Sequence, residues 1–189
     1  MQAEQSSAQL VVKYRSIGLL QRSNSNYCRI FGKKILMANT YIRIYLHIIF
    51  AVKNRNALIA PQWRPRVHSY ISESLRQRGH LPIAIGGTSD HVHLLISFSG
   101  KETLPELVRD IKTATTHFIN DYRLSLFKFE WQKGYGCFSY SHSQINNVAN
   151  YIMRQEEHHK CFSLRDEIKR VLDNFGIEYD EQYIFDDLE

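Results

Sequence analysis

The chain of 189 residues predicts an α+β fold, a ferredoxin-like antiparallel sheet with helices packed on it. Three observations carry that prediction. Segments with strand and helix periodicity follow one another as β-α-β-β-α-β-α, which sets one hairpin between two helical crossings. Residues 41–52 alternate apolar and polar side chains, as a sheet with two unlike faces requires. The helical segments carry apolar stripes on one side only, as helices laid against a sheet do.

Each element has its own signal. In residues 41–52, Ile42, Ile44, Leu46, Ile48, Phe50 and Val52 point one way and Tyr41, Arg43, Tyr45 and His47 the other. That is a half-buried strand with a polar, aromatic second face. Lys53-Asn54-Arg55-Asn56 reads as a basic turn. Residues 62–78 read as a helix with Val67, Tyr70, Ile71 and Leu75 inward and Gly79 as its stop. Residues 81–85 and 91–98 read as strands of a hairpin closed by Gly86-Gly87-Thr88-Ser89-Asp90. Thr103-Leu-Pro-Glu106 is a capping box that opens a helix to about Tyr122, with Leu107, Ile111, Ala114 and Phe118 along one face. A strand-like, glycine-punctuated segment covers residues 127–140. Ser143, or Ser141 just before it, caps a helix through about His159 whose stripe is Ile145, Val148, Ala149 and Ile152. A last helix over roughly 164–175 precedes an acidic tail.

The length suits one domain, and 43% apolar with 12% aromatic residues is ordinary for a globular chain. No apolar run approaches the roughly 20 residues of a membrane helix, so no membrane partner is expected. Cys28, Cys137 and Cys161 have no paired metal spacing and imply a reducing, cytoplasmic setting. Net charge is +5, yet residues 1–36 hold six Lys/Arg and one acidic residue, so the whole excess sits in this leader. The remainder is neutral but polarised: residues 37–89 carry seven basic and one acidic residue, and 162–189 three basic and nine acidic. Residues 1–36 lack sustained periodicity and are expected to be a leader, disordered or an artefact of start-site choice. Met37 is then the natural start, and 37–189 form a single domain with an acidic C-terminal tail.

Two constellations carry chemistry. His91 and His93, one residue apart on a strand, leave the same face, while Val92, Leu94, Ile96 and Phe98 take the other. Two neutral imidazoles so placed suit one divalent cation. Tyr151 and Gln155, spaced i,i+4, share a helix face beside the core stripe. The same pair also suits a tyrosine at the edge of a packed helix beside a solvated glutamine, the commoner situation. Taken together, the two constellations offer a nucleophile, three neutral ligands and open coordination positions.

His91-Val92-His93-Leu94-Leu95-Ile96 followed by Tyr151-Ile-Met-Arg-Gln155 resembles the HUH single-tyrosine transposases of small bacterial insertion sequences, including their REP-associated relatives. The likeness extends through residues 40–52, Trp131-Gln-Lys-Gly-Tyr-Gly136 and Gln155-Glu-Glu-His-His159, about 38–185 in all. It implies a transposase that nicks and rejoins single-stranded DNA. By the same likeness, His91, His93 and Gln155 would hold Mg²⁺ or Mn²⁺, and Tyr151 would form a 5′-phosphotyrosine. It also implies DNA with hairpin ends as partner and a homodimer with possible trans active sites. Arg43, Lys53, Arg55 and Lys112 are candidate phosphate contacts. The alternatives are a non-catalytic relative that binds DNA hairpins and a metal-dependent hydrolase in which Tyr151 is structural.

Other polar residues receive ordinary readings. His158-His159-x-Cys161 does not suit one helix face as a metal motif. His47 and His142 either line the site or are partly exposed, Trp131 and Tyr135 are packing residues, and Glu156 and Glu157 lie on a solvated face.

Overall fold

The computed structural model describes residues 29–30, 33–34, 41–53, 58–159, 163–181 and 184. The chain divides into two units, Met1–Tyr41 and Ile42–Glu189. In the first, β1 (Arg29–Ile30) pairs antiparallel with β2 (Lys33–Lys34). The rest of the 1–36 leader lies outside the described residues, as do Arg55 with most of its basic turn, Cys161, and residues 182–183 and 185–189 of the acidic tail.

The second unit runs β3 (Ile44–Ala51), α1 (Arg64–Gln77), β4 (Leu81–Gly87), β5 (His91–Phe98), α2 (Leu104–Asp121) and β6 (Gly136–Ser139). A 3₁₀ turn (His142–Gln144), α3 (Ile145–Met153), α4 (Gln155–His158) and α5 (Leu164–Asn174) follow. The sheet order is β4-β5-β3-β6, with every pair antiparallel. With this connectivity the layout is the expected ferredoxin-like one.

The period-two pattern sorts the side chains onto two covered faces. On one, Ile48, Phe50, Val52, Val92, Leu94 and Ile96 pack under Val67, Ile71 and Leu75 of α1 and Leu107 and Ile111 of α2. On the other, Tyr45, Ala84 and Leu95 meet Ile145, Val148 and Ile152 of α3. Beside them, Ile49, Ala51 and Phe138 meet Leu164 and Ile168 of α5. Each fully buried aliphatic side chain contributes about 1.5–3 kcal/mol. His91, His93 and His47 therefore emerge on the face that α3 and α5 close.

Two glycines set the closeness of that lid. A Cβ at Gly86 would lie 2.3 Å from the carbonyl oxygen of Ile152, so α3 approaches β4 along bare backbone. Gly87 has φ +143, and its Cβ would meet the His91 oxygen at 2.2 Å, so the hairpin into β5 needs glycine.

The structure corrects three expectations. The ladder in the 127–140 segment is only Gly136–Ser139, with one isolated bridge from Trp131 to Val52. Upstream, Asn120 holds the Phe129 backbone through two side-chain hydrogen bonds of 2.9 and 3.0 Å, and Phe129 is drawn into the core instead of pairing. The helix expected through His159 is not continuous. It begins as a 3₁₀ turn after Ser141 and breaks at Arg154 (φ −104, ψ 19), whose N–H closes back onto Tyr151 O at 3.1 Å. Tyr151 and Gln155 thus stand on two helices rather than on one face of a single helix.

Candidate active site

β5 delivers both histidines to one buried spot, each 0% exposed. The Nδ1 of His91 donates to Asp90 Oδ1 at 2.7 Å, and Thr88 Oγ1 lies 3.0 Å from the same nitrogen. Burial opposes the charge on Asp90, but the hydrogen bonds from His91 and Thr88 outweigh it and hold the carboxyl at about 2. With Nδ1 committed, the Nε2 of His91 presents a lone pair, and it faces Gln155 Oε1 at 3.4 Å. Two lone-pair atoms facing each other in a buried place suit a cation between them.

His93 has a matching arrangement. Its Nδ1 lies 2.9 Å from His47 Nε2, and its Nε2 faces Glu167 Oε1 at 3.5 Å. His47 is 1% exposed, and burial, only partly opposed by the Glu167 charge, lowers its pKa to about 4. It is therefore neutral and able to accept from His93. His142 is exposed and bonds Tyr45 OH at 2.9 Å.

Glu167 of α5 is the meeting point, 2% exposed. The Tyr151 hydroxyl donates to Oε1, Gln155 Nε2 donates to the same oxygen at 3.3 Å, and His159 Nε2 lies 2.7 Å from Oε2. Burial alone would favour the neutral carboxyl, but the hydrogen bonds from His159 and Tyr151 outweigh it and keep Glu167 below the ordinary carboxylate range. The Tyr151 phenol is pushed far above its ordinary value, first by burial and then by the Glu167 charge. Its ring meets that of His93 edge-on at 6.2 Å.

His91, His93, His159 and Glu167 each offer a ligand atom, all within 4.8 Å of one another, so the cluster is able to hold a metal ion. The four residues singled out in the sequence (His91, His93, Tyr151 and Gln155) meet here. Sequence reasoning missed Glu167, took His159 as ordinary, and left His47 undecided. Asp90 sits next to His91 but carried no separate signal.

The candidate phosphate contacts scatter. Arg43 is exposed, with Nη1 on Tyr45 OH at 3.2 Å, and Lys53 is exposed and paired with Glu130 at 2.8 Å. Lys112 lies on the other side of the sheet, 5.2 Å from the Phe50 ring centroid. Its ammonium is bonded to the carbonyls of Gln132 and Gly134, and burial lowers its pKa to about 8. Glu157 is exposed; Glu156 is exposed too, but it pairs with the buried Arg64. Among the described residues no helix is long and apolar enough to cross a membrane.

Comparison with known proteins bears on this geometry. Residues 40–155 match the family model described as IS200-like transposase. The fold is similar to that of a protein assigned as a transposase from Deinococcus radiodurans R1. That match has 18% identity and TM-score 0.50, and covers 63% of this chain and 95% of that one. It is also similar to a REP-associated tyrosine transposase solved with a REP hairpin. There the identity is 17% and the TM-score 0.50, over 79% of this chain and 91% of that one. No curated protein matches by sequence.

Proposed function

The chain belongs to the IS200-like transposase family, and on that premise we propose that it nicks and rejoins single-stranded DNA by metal-assisted tyrosine transesterification. The observation that carries the reading is the convergence of His91, His93, Gln155 and Tyr151 around one buried carboxylate within a single chain.

Tyr151 Oη attacks the scissile phosphorus, the bond to the 3′-oxygen breaks, and a 5′-phosphotyrosine and a free 3′-OH result. Rejoining is the reverse attack by a 3′-OH, which conserves the bond and needs no nucleotide cofactor. The Tyr151 proton points at Glu167 Oε1. A phenol so far above its ordinary value reacts only once that proton is withdrawn. A Mg²⁺ or Mn²⁺ ion held by His91, His93 and Gln155 would polarise a non-bridging phosphate oxygen and offset the charge developing there. Asp90 and His47 keep both imidazoles turned so that Nε2 is presented.

Single-stranded DNA with hairpin ends is the proposed partner, supported by the similar structure that holds a REP hairpin. Arg43, Lys53, Arg55 and Lys112 are offered as phosphate contacts. Assembly as a homodimer belongs to the same reading. The test is to incubate the protein with hairpin DNA labelled at both its 5′ and 3′ ends and Mn²⁺, with and without chelator, and to analyse the ends. Metal-dependent nicking with a 3′-OH end and protein on the 5′ end is expected. Nicking with free 5′-phosphate points to hydrolysis by water and overturns the reading.

A further inference from the structure

We propose that Glu167 is an additional protein ligand of the divalent ion, with His159 holding its outer oxygen, so that one carboxylate ties the ion to Tyr151. This rests on the reading of the site as a metal centre and not on the DNA chemistry. Glu167 lies on α5, beyond residues 40–155 that the family model matches, so that match does not assign it.

Placement comes first. Ser163 and Asp166 cap the N-terminus of α5 reciprocally, and Leu164 and Ile168, on either side of Glu167, are anchored in the core against β3 and β6. The helix therefore has one seating, and that seating drives the carboxylate inward. Oε1 lies 3.5 Å from His93 Nε2, and Gln155 Oε1 lies 3.4 Å from His91 Nε2. Donor atoms about 2.0–2.2 Å from a common ion lie roughly 3–4.4 Å apart. The separations here already fall in that window.

Charge is the second argument. A buried carboxylate is costly unless an opposite charge or full hydrogen bonding offsets it. Among the described residues the hydrogen-bond and ion-pair partners of Glu167 are Tyr151, Gln155, His93 and His159, none of them Lys or Arg. A divalent cation beside Oε1 would add a full opposite charge to those hydrogen bonds. The outer contact is of the kind that ligating carboxylates carry: Oε2 lies 2.7 Å from His159 Nε2, as Asp90 braces His91 on the other side of the cluster.

The resulting donors are two imidazoles, an amide oxygen and one carboxylate oxygen. That mixed set favours Mn²⁺ over Mg²⁺, because imidazole is a poor partner for the harder ion. It also makes the site one charge more negative than His91, His93 and Gln155 alone.

The test is titration calorimetry of the full chain with MnCl₂ and MgCl₂, alongside the paramagnetic resonance spectrum of bound Mn²⁺. Wild-type protein is expected to bind Mn²⁺ more tightly than Mg²⁺. Glu167→Gln is expected to weaken Mn²⁺ binding by about 100-fold, His159→Ala by about 10-fold, and His159→Gln, which keeps a donor, by less. Glu167→Asp keeps the charge but shortens the reach, and a smaller, measurable loss is expected. Thermal midpoints of the metal-free variants identify any that fail to fold. If Glu167→Gln fails, the Asp variant decides. Mn²⁺ affinity within about threefold of wild type in the folded variant, while His93→Ala has lost binding, overturns the proposal. A wild-type protein that binds Mn²⁺ through Glu167 yet forms no DNA adduct would sink the transposition chemistry and leave this inference standing.

Discussion

Tyr151 donates its hydroxyl hydrogen to Glu167, a residue sixteen positions further along on a separate helix. The proposed nucleophile is thereby held by a group that α5, not its own helix, delivers. A hydrogen bond to a buried carboxylate contributes about 1.5–3 kcal/mol. Tyr151→Phe is therefore expected to lower the metal-free unfolding free energy by roughly that amount. Urea unfolding followed by circular dichroism measures it, and an unchanged or raised stability would contradict the contact.

Gly86→Ala places a methyl group 2.3 Å from Ile152 O and 2.9 Å from Ile152 Cγ2. The first is a backbone atom and cannot swing aside, so α3 must retreat from β4. A cost of about 1–3 kcal/mol is expected. Because Gln155 follows directly on α3, weaker Mn²⁺ binding should accompany it. Calorimetry and thermal unfolding on the same sample test both. A fully stable variant with wild-type affinity would show that the close approach does not set the site.

Acid should destabilise the fold before the carboxylates titrate. Burial lowers the pKa of both His47 and His68 to about 4, with the Arg64 charge contributing at His68. The unfolded chain takes up these protons as the pH falls through about 6.5, whereas the folded chain waits until about 4. Between those values the unfolded state binds more protons, so this stability is full above pH 6.5 and declines as pH falls. For the fully buried His47 the gap corresponds to about 3 kcal/mol. Urea midpoints of metal-free protein at pH 7.5 and 5 should differ accordingly, and His68→Gln should reduce the difference. Equal midpoints would contradict the burial of neutral imidazoles.

The contacts that bring Tyr151 and Gln155 to His91 and His93 lie within one chain. A mixture of His93→Ala and Tyr151→Phe proteins should therefore recover no DNA-joining activity. Recovery on mixing would mean that a partner's tyrosine completes each site.

The legible part of this site was the part written in local periodicity. His91 and His93 share a face because a strand repeats every two residues, and the Thr103–Glu106 box opened α2 where its spacing placed it. The break at Arg154 has no proline or glycine to announce it, so Tyr151 and Gln155 read as one helical pair. Glu167 was illegible for a different reason. It is one carboxylate in an acidic segment, and only the seating of Leu164 and Ile168 on the sheet turns it inward. His159 looked ordinary because its partner is brought to it by that same docking.

The most direct measurement is an SDS-resistant protein–DNA adduct formed with labelled hairpin single strand and Mn²⁺. The account predicts an adduct with the wild-type chain, mapped to Tyr151, and none with Tyr151→Phe. An adduct that survives in Tyr151→Phe, or DNA cleaved by the wild type with no adduct at all, would contradict it.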